Sequence, residues 1–125
     1  MEATDLMIGD WVRIAPYDII DQVDCLLTEY AITSHGDSYG YYDYKDIKPI
    51  PLTPEILENN GFRYSDWSFA GFYEGYGLQI HGGNYADGHS NWYIICGINV
   101  AMNVTYVHKL QHALKLCKIE KEIVL

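Results

Sequence analysis

Residues 48–62 have the sequence Lys48-Pro49-Ile50-Pro51-Leu52-Thr53-Pro54-Glu55-Ile56-Leu57-Glu58-Asn59-Asn60-Gly61-Phe62. Its three prolines fix φ and stiffen the middle of the chain, which predicts a joint inside one domain. After the joint, Thr53 is the predicted N-cap of a short helix over 53–61, with Pro54 at its first position. Gly61 is expected to end this helix in the left-handed conformation, so that Phe62 folds back onto Leu57.

The chain before this joint predicts a small antiparallel sheet over residues 1–52. Residues 11–14 alternate apolar and polar side chains, residues 23–32 are β-like, and residues 39–44 alternate again. Turn-forming residues at 9–10 and 34–37 separate these segments. We expect either a small SH3-like barrel or an open meander.

The chain after the joint predicts a second antiparallel sheet over 62–104, because aromatic, glycine and β-branched residues dominate it. Strands are expected near 66–74, 77–81, 92–96 and 98–103, with a bulged hairpin around 71–77. Residues 105–118 predict an amphipathic helix that is capped by Thr105 and packs on this sheet. The prediction is a single α+β domain over 1–125, mainly antiparallel β.

Charge and composition exclude several classes of protein. The chain has 17 acidic and 8 basic side chains, a net charge of −9. Only the segment over residues 105–125 has more basic than acidic side chains. Direct nucleic-acid binding is not expected, because it depends on Lys and Arg. No apolar run reaches the roughly 20 residues that span a bilayer, and no signal peptide opens the chain. We therefore expect a cytoplasmic protein without membrane contact.

Two histidines supply the most testable chemical hypothesis. His108 and His112 are four residues apart in the predicted helix, a spacing that lets two imidazoles reach one zinc ion. Lys109 occupies the position of the glutamate in the zinc-protease motif, so the general base of that mechanism is missing. Further ligands would have to come from the loop over 81–90, which contains His81, Asp87 and His89. Two solvated histidines without metal are the ordinary alternative.

Neither the cysteines nor the carboxylates predict a catalytic residue. Cys25, Cys96 and Cys117 are odd in number, far apart and in apolar surroundings, so we expect inert thiols without disulfides. The tyrosines are a better candidate, because the chain has twelve of them. Tyrosine provides a large amphipathic contact area at low entropic cost. We predict a binding face from four of them: Tyr39, Tyr41, Tyr42 and Tyr44.

Three separated stretches resemble a group of small proteins from gut bacteria and their prophages. They are Asp5-Leu6-Met7-Ile8-Gly9-Asp10-Trp11-Val12, Ile50-Pro51-Leu52-Thr53-Pro54-Glu55-Ile56-Leu57 followed by Gly61-Phe62, and Tyr106-Val107-His108-Lys109-Leu110-Gln111-His112. The group has Asn where this chain has Asp10. The resemblance carries no known activity, catalytic residue or cofactor. It implies an accessory protein of a phage or other mobile element.

The sequence thus favours a non-enzymatic accessory protein that binds an unidentified protein partner, with a homodimer as one arrangement. No catalytic residue is predicted and no cofactor is expected unless the histidines hold zinc. Two alternatives stay open at this stage. One is a metal-dependent hydrolase built on His108 and His112. The other is an acidic inhibitor that mimics a nucleic-acid surface and occupies a basic protein groove.

Overall fold

The fold is known from a computed structural model, which describes residues 3–65, 71–84, 90–96 and 100–125. The chain divides into two compact units, Met1–Ile50 and Pro51–Leu125, and each contains a five-stranded antiparallel sheet. The predicted α+β class with mainly antiparallel strands is confirmed. The unit boundary lies two residues before the predicted end of the first sheet. The single-domain organisation stays a prediction.

The first unit is a meander with one strand added to its far side. Its strands are β1 (Trp11–Ile14), β2 (Ile19–Leu26), β3 (Tyr30–His35), β4 (Ser38–Asp43) and β5 (Ile47–Lys48). Their order in the sheet is β4-β3-β2-β1-β5, and a 3₁₀ turn at Tyr44–Asp46 leads from β4 to β5. β4 and β5 therefore form the two edges. Of the two predicted forms, the open meander is confirmed and the closed barrel is wrong.

The second and third strands divide a segment that the sequence predicts as one β-like run over 23–32. The chain turns at residues 27–29, where the N–H of Leu27 donates to the carbonyl of Tyr30 at 3.0 Å. The hydroxyl of Tyr44 also donates to the carbonyl of Leu27. This turn was missed because it contains neither glycine nor proline, and its hydrogen bonds come partly from a distant residue.

The inward face of the first sheet forms the core of its unit. The buried side chains come from four strands and from the segment before β1: Leu6, Val12, Ile14, Val23, Ala31 and Ile47. Asp21 and Thr33 are also buried, and the hydroxyl of Thr33 donates to the carboxylate of Asp21 at 2.6 Å. Each buried leucine, isoleucine or valine of this set stabilises the fold by about 1.5–3 kcal/mol.

The second unit begins with the predicted helix, α1 (Pro54–Asn59). The hydroxyl of Thr53 accepts the N–H of Ile56 at 3.2 Å, so the predicted N-cap is confirmed. Gly61 has a φ of +89°, and the N–H of Phe62 donates to the carbonyl of Leu57 at 3.0 Å. These are the backbone features of a Schellman motif, the predicted end of this helix.

The second sheet follows α1 and is also a meander. Its strands are β6 (Arg63–Ser65), β7 (Phe72–Gly75), β8 (Leu78–Asn84), β9 (Ser90–Cys96) and β10 (Val100–Asn103), in the order β10-β9-β8-β7-β6. Tyr76 and Gly77 alone connect β7 to β8, and both have positive φ. Gly75 pairs with Leu78 across this turn in regular register. The predicted bulge is therefore wrong, because a tight two-residue turn needs no extra residue.

Gly82 of β8 and Trp92 of β9 are opposite each other in the second sheet. A Cβ atom at position 82 would lie 2.2 Å from Cε3 of the indole. The buried tryptophan ring therefore occupies the space that a side chain at 82 would need. This contact keeps the indole against the backbone of the neighbouring strand.

The C-terminal helix, α2 (Val107–Leu116), begins later than predicted. Tyr106 is its N-cap. The side chain of Thr105 instead forms hydrogen bonds with β9. The hydroxyl of Thr105 accepts the N–H of Trp92 at 3.4 Å and donates to Oδ1 of Asn91 at 3.3 Å. The helix buries five side chains: Val107, His108, Leu110, Ala113 and Leu114.

Candidate protein-binding surface on the first sheet

The edge strands of the two sheets differ in length. β5 has two residues, β6 has three and β10 has four, whereas β4 has six. In the part of the chain that the structure describes, β4 is thus the longest edge strand. All its ladder pairs are with β3, from Tyr30 opposite Asp43 to His35 opposite Ser38. Its other side offers backbone donors and acceptors to a partner strand.

The predicted tyrosines divide between the two faces of the sheet, because alternate residues of a strand point in opposite directions. Tyr39 and Tyr41 point outward, and each is 70% exposed. Tyr42 points inward, where it packs against the core and has its ring 6.0 Å from that of Tyr17. Burial, followed by the nearby charge of Asp21, raises the pKa of Tyr42 above its ordinary value.

Tyr44 has a structural role. It lies in the 3₁₀ turn after β4, packs partly buried against the core and donates its hydroxyl hydrogen bond to Leu27. Two of the four predicted tyrosines are thus available for binding. The other two hold β4 and the following turn in place.

Tyr30 joins the outward tyrosines, although the sequence did not single it out. It is 37% exposed, and its ring meets that of Tyr41 edge to face at 5.8 Å. Aromatic pairs of this kind contribute roughly 0.5–1.5 kcal/mol beyond their burial. The sequence has no signal for Tyr30, because only the register of β3 with β4 places it opposite Asp43 and next to Tyr41. We call Tyr30, Tyr39 and Tyr41 the tyrosine face.

Acidic side chains flank the tyrosine face along the chain. Asp43 follows Tyr41 on the outward row of β4, and Asp37 precedes the strand in the β3–β4 turn. Glu29 is exposed next to Tyr30. Nζ of Lys45 lies 3.9 Å from Oδ2 of Asp43. Both side chains are largely exposed, and an ion pair in water adds little to the stability of the fold. Residues 1–50 contain ten Asp and Glu against three Lys and Arg, a net charge of −7.

The histidines of the alternative metal site occupy different environments. His108 is buried, contrary to the expected solvated position, and its ring stacks on that of Tyr106 at 6.1 Å. The ring of His112 lies 5.6 Å from that of His108, edge to face. Among the described residues, no three His, Cys, Asp or Glu side chains are grouped so that they could hold a metal ion. The zinc pair stays a prediction.

The remaining predicted ligands and thiols are elsewhere. His81 lies in β8, with Nε2 at 3.1 Å from Oε1 of Gln79, whereas Asp87 and His89 lie outside the described residues. Cys25 and Cys117 are partly buried, and neither forms a disulfide bond in the described residues. The side chain of Cys96 also lies outside the described part. Of the predicted site residues, the described part of the chain brings Tyr39 and Tyr41 together on one face, and it places the rings of His108 and His112 side by side.

Comparisons with known proteins add little to this description. No protein-family model matches the chain, and no solved structure matches it. Protein ERP3 of Saccharomyces cerevisiae is 29% identical over 73 residues, which cover 57% of this chain and 32% of the yeast protein. The chain thus spans about a third of the length of that curated relative. In the described residues, neither α1 nor α2 is long and apolar enough to cross a membrane.

Proposed function

We propose that this protein is a non-enzymatic module that binds another protein through its tyrosine face. The observation that carries the proposal is the exposure of Tyr39 and Tyr41 on the longest edge strand of the described residues. Large rings that remain in water on the monomer bury their apolar area when a partner covers them. Tyr is also among the residue types that are enriched in the cores of interfaces.

The edge position supports the same function. Natural proteins protect exposed edge strands with lysine, proline, bulges or short length. β4 has six residues and contains neither lysine nor proline, and its ladder with β3 runs without a shift in register. An edge whose one charged side chain, Asp43, lies at its last residue, and which adjoins exposed aromatic rings, is suited to strand addition by a partner segment. The resemblance to phage-associated proteins supports an accessory role in a bacterial cytoplasm as part of this proposal.

The test is affinity capture from a lysate of the source organism, with three forms of the protein. The wild type is compared with the double variant Tyr39→Ala/Tyr41→Ala and with Tyr64→Ala. Tyr64 is a matched control, because it is 57% exposed on β6, an edge strand of the other sheet. A discrete partner should be retained by the wild type and by Tyr64→Ala, and lost from the double variant. Retention of every partner by the folded double variant would refute the proposal.

A further inference from the structure

We propose that the partner binds as an extended basic segment that pairs with β4 as a sixth strand of the first sheet. This inference rests on the proposed function and names the chemistry of the partner. It follows from three observations on the same strand: its backbone edge, the spacing of its outward side chains and the charge around it.

The backbone edge of β4 can accept a strand of similar length. Six residues at about 3.4 Å each give an edge of roughly 20 Å. Every residue of β4 pairs with β3 on one side, and no other described strand pairs with it. The ladder hydrogen bonds of an added strand use main-chain groups, so they do not depend on the sequence of the partner.

The outward side chains set which residues of that strand contact the protein. Tyr39, Tyr41 and Asp43 share one row at two-residue spacing, about 7 Å apart. A paired strand also shows alternate side chains on this face, so every second residue of the segment lies next to the row. Long side chains at those positions would reach across the rings of Tyr39 and Tyr41.

The charge around the row selects lysine and arginine at those alternate positions. A cation over a tyrosine ring is attracted by the negative face of the ring. The same cations would approach Asp43 at one end of the row and Asp37 at the other. A second copy of this chain would place two units of −7 charge edge to edge, so repulsion opposes self-pairing through β4.

The probe for this inference is a synthetic peptide of about six residues with alternating lysine and threonine, which matches the length of β4. One control peptide replaces every lysine by glutamate. A second has a methyl group on every peptide nitrogen, which keeps the charge and the side chains but removes the backbone donors that a ladder needs. Calorimetric titration into the full-length protein gives the dissociation constant of each peptide.

We expect the lysine–threonine peptide to bind about tenfold or more tightly than either control, and Tyr39→Ala/Tyr41→Ala to weaken it about tenfold. Equal binding of the N-methylated peptide would overturn the inference, because charge attraction alone would then explain the affinity. Absence of binding would overturn it too. If capture still requires Tyr39 and Tyr41 in that case, the proposed function stands and only the basic segment is wrong. Self-association of the wild type that the double variant lacks would instead identify a second copy as the occupant.

Discussion

Asn60 illustrates how much a single side chain contributes to the second unit. It is 2% exposed, and its carboxamide forms the two hydrogen bonds that a neighbouring strand would form with Val124. The amide group donates to the carbonyl of Val124 at 3.0 Å, and Oδ1 accepts the N–H of Val124 at 2.8 Å. The amide group also donates to the carbonyl of Ile56 at 2.8 Å. Asn60 thus connects the end of α1 to the C-terminal segment.

We predict that Asn60→Ala lowers the free energy of unfolding by about 2–3 kcal/mol. The variant removes three partly buried hydrogen bonds, so backbone groups of Val124 and Ile56 lose this partner and carry part of the cost of desolvation. Asn59→Ala is the matched control, because Asn59 is exposed and should change stability by less than about 0.5 kcal/mol. Urea unfolding of both variants measures the difference. Equal stability of the two would show that the hydrogen bonds of Asn60 contribute nothing.

The sequence could not distinguish the two adjacent asparagines, nor the outward tyrosines from the inward ones. The partner of Asn60 is 64 residues away in the chain, and such contacts leave no local pattern. Tyr41 and Tyr42 are likewise adjacent in the sequence, and only the register of β4 with β3 shows which of them points outward. The enrichment in tyrosine drew attention to β4, but it could not show which of its tyrosines point outward.

At the scale of elements, the turn between β7 and β8 closes against the end of α1. Tyr76 has a φ of +53°, which is unusual for a residue with a large side chain. Its hydroxyl donates to the carbonyl of Asn60 at 3.0 Å, and its ring meets that of Phe62 edge to face at 5.3 Å. The ammonium of Lys121 lies 5.8 Å from the centre of the same ring. These contacts offset the backbone strain at Tyr76.

We predict that Gly61→Ala destabilises the protein more than Gly77→Ala does. Both glycines have positive φ, so each alanine costs roughly 1–2 kcal/mol of backbone strain. Only at position 61 would the new Cβ meet another group, the hydroxyl oxygen of Tyr76 at 2.5 Å. Chemical denaturation should show an additional cost of about 1 kcal/mol for Gly61→Ala.

The variant Tyr76→Phe separates the two causes, because it removes the hydroxyl that Gly61→Ala would approach. In that background the additional cost at position 61 should disappear, whereas the cost of Gly77→Ala should be unchanged. If the additional cost persists without the hydroxyl, the contact with Tyr76 is not its cause.

Elements were predictable where their signals are local. Thr53, Pro54 and Gly61 fix both ends of α1 within a few residues, and the structure has the cap and the Schellman motif that they predict. The start of α2 was placed too early because Thr105 has the chemistry of a cap but serves Asn91 and Trp92 across the sheet. Whether such a side chain caps a helix or forms hydrogen bonds with a neighbouring strand is decided by the tertiary fold, not by the local sequence.

At the scale of the whole molecule, the net charge of −9 influences how the protein meets a partner. Opposite charge on the partner accelerates association, and salt at 0.1 M ionic strength largely screens the attraction between charges more than about 10 Å apart. The large acidic excess was predictable from composition. The position of the acidic side chains relative to the tyrosine face was not predictable, because it depends on where Asp37 and Asp43 lie in the folded chain.

We predict that Asp43→Lys weakens partner binding about tenfold, mainly through slower association. The substitution places a positive charge on the outward row of β4, where a basic segment would bind. Glu55→Lys changes the net charge by the same amount at an exposed position on α1 and should change binding less than about threefold. Surface plasmon resonance at low and at moderate salt gives the rates. Equal effects of the two variants would mean that only total charge matters.

The contact between Gly82 and Trp92 constrains how this protein can evolve. Because the indole occupies the space of a side chain at 82, a larger residue there is compatible only with a smaller residue at 92. Substitutions at the two positions should therefore arise together, and each single change should pass through a less stable intermediate. In an alignment of homologous sequences, positions 82 and 92 would then covary. This covariation would identify the register of β8 and β9 without a structure.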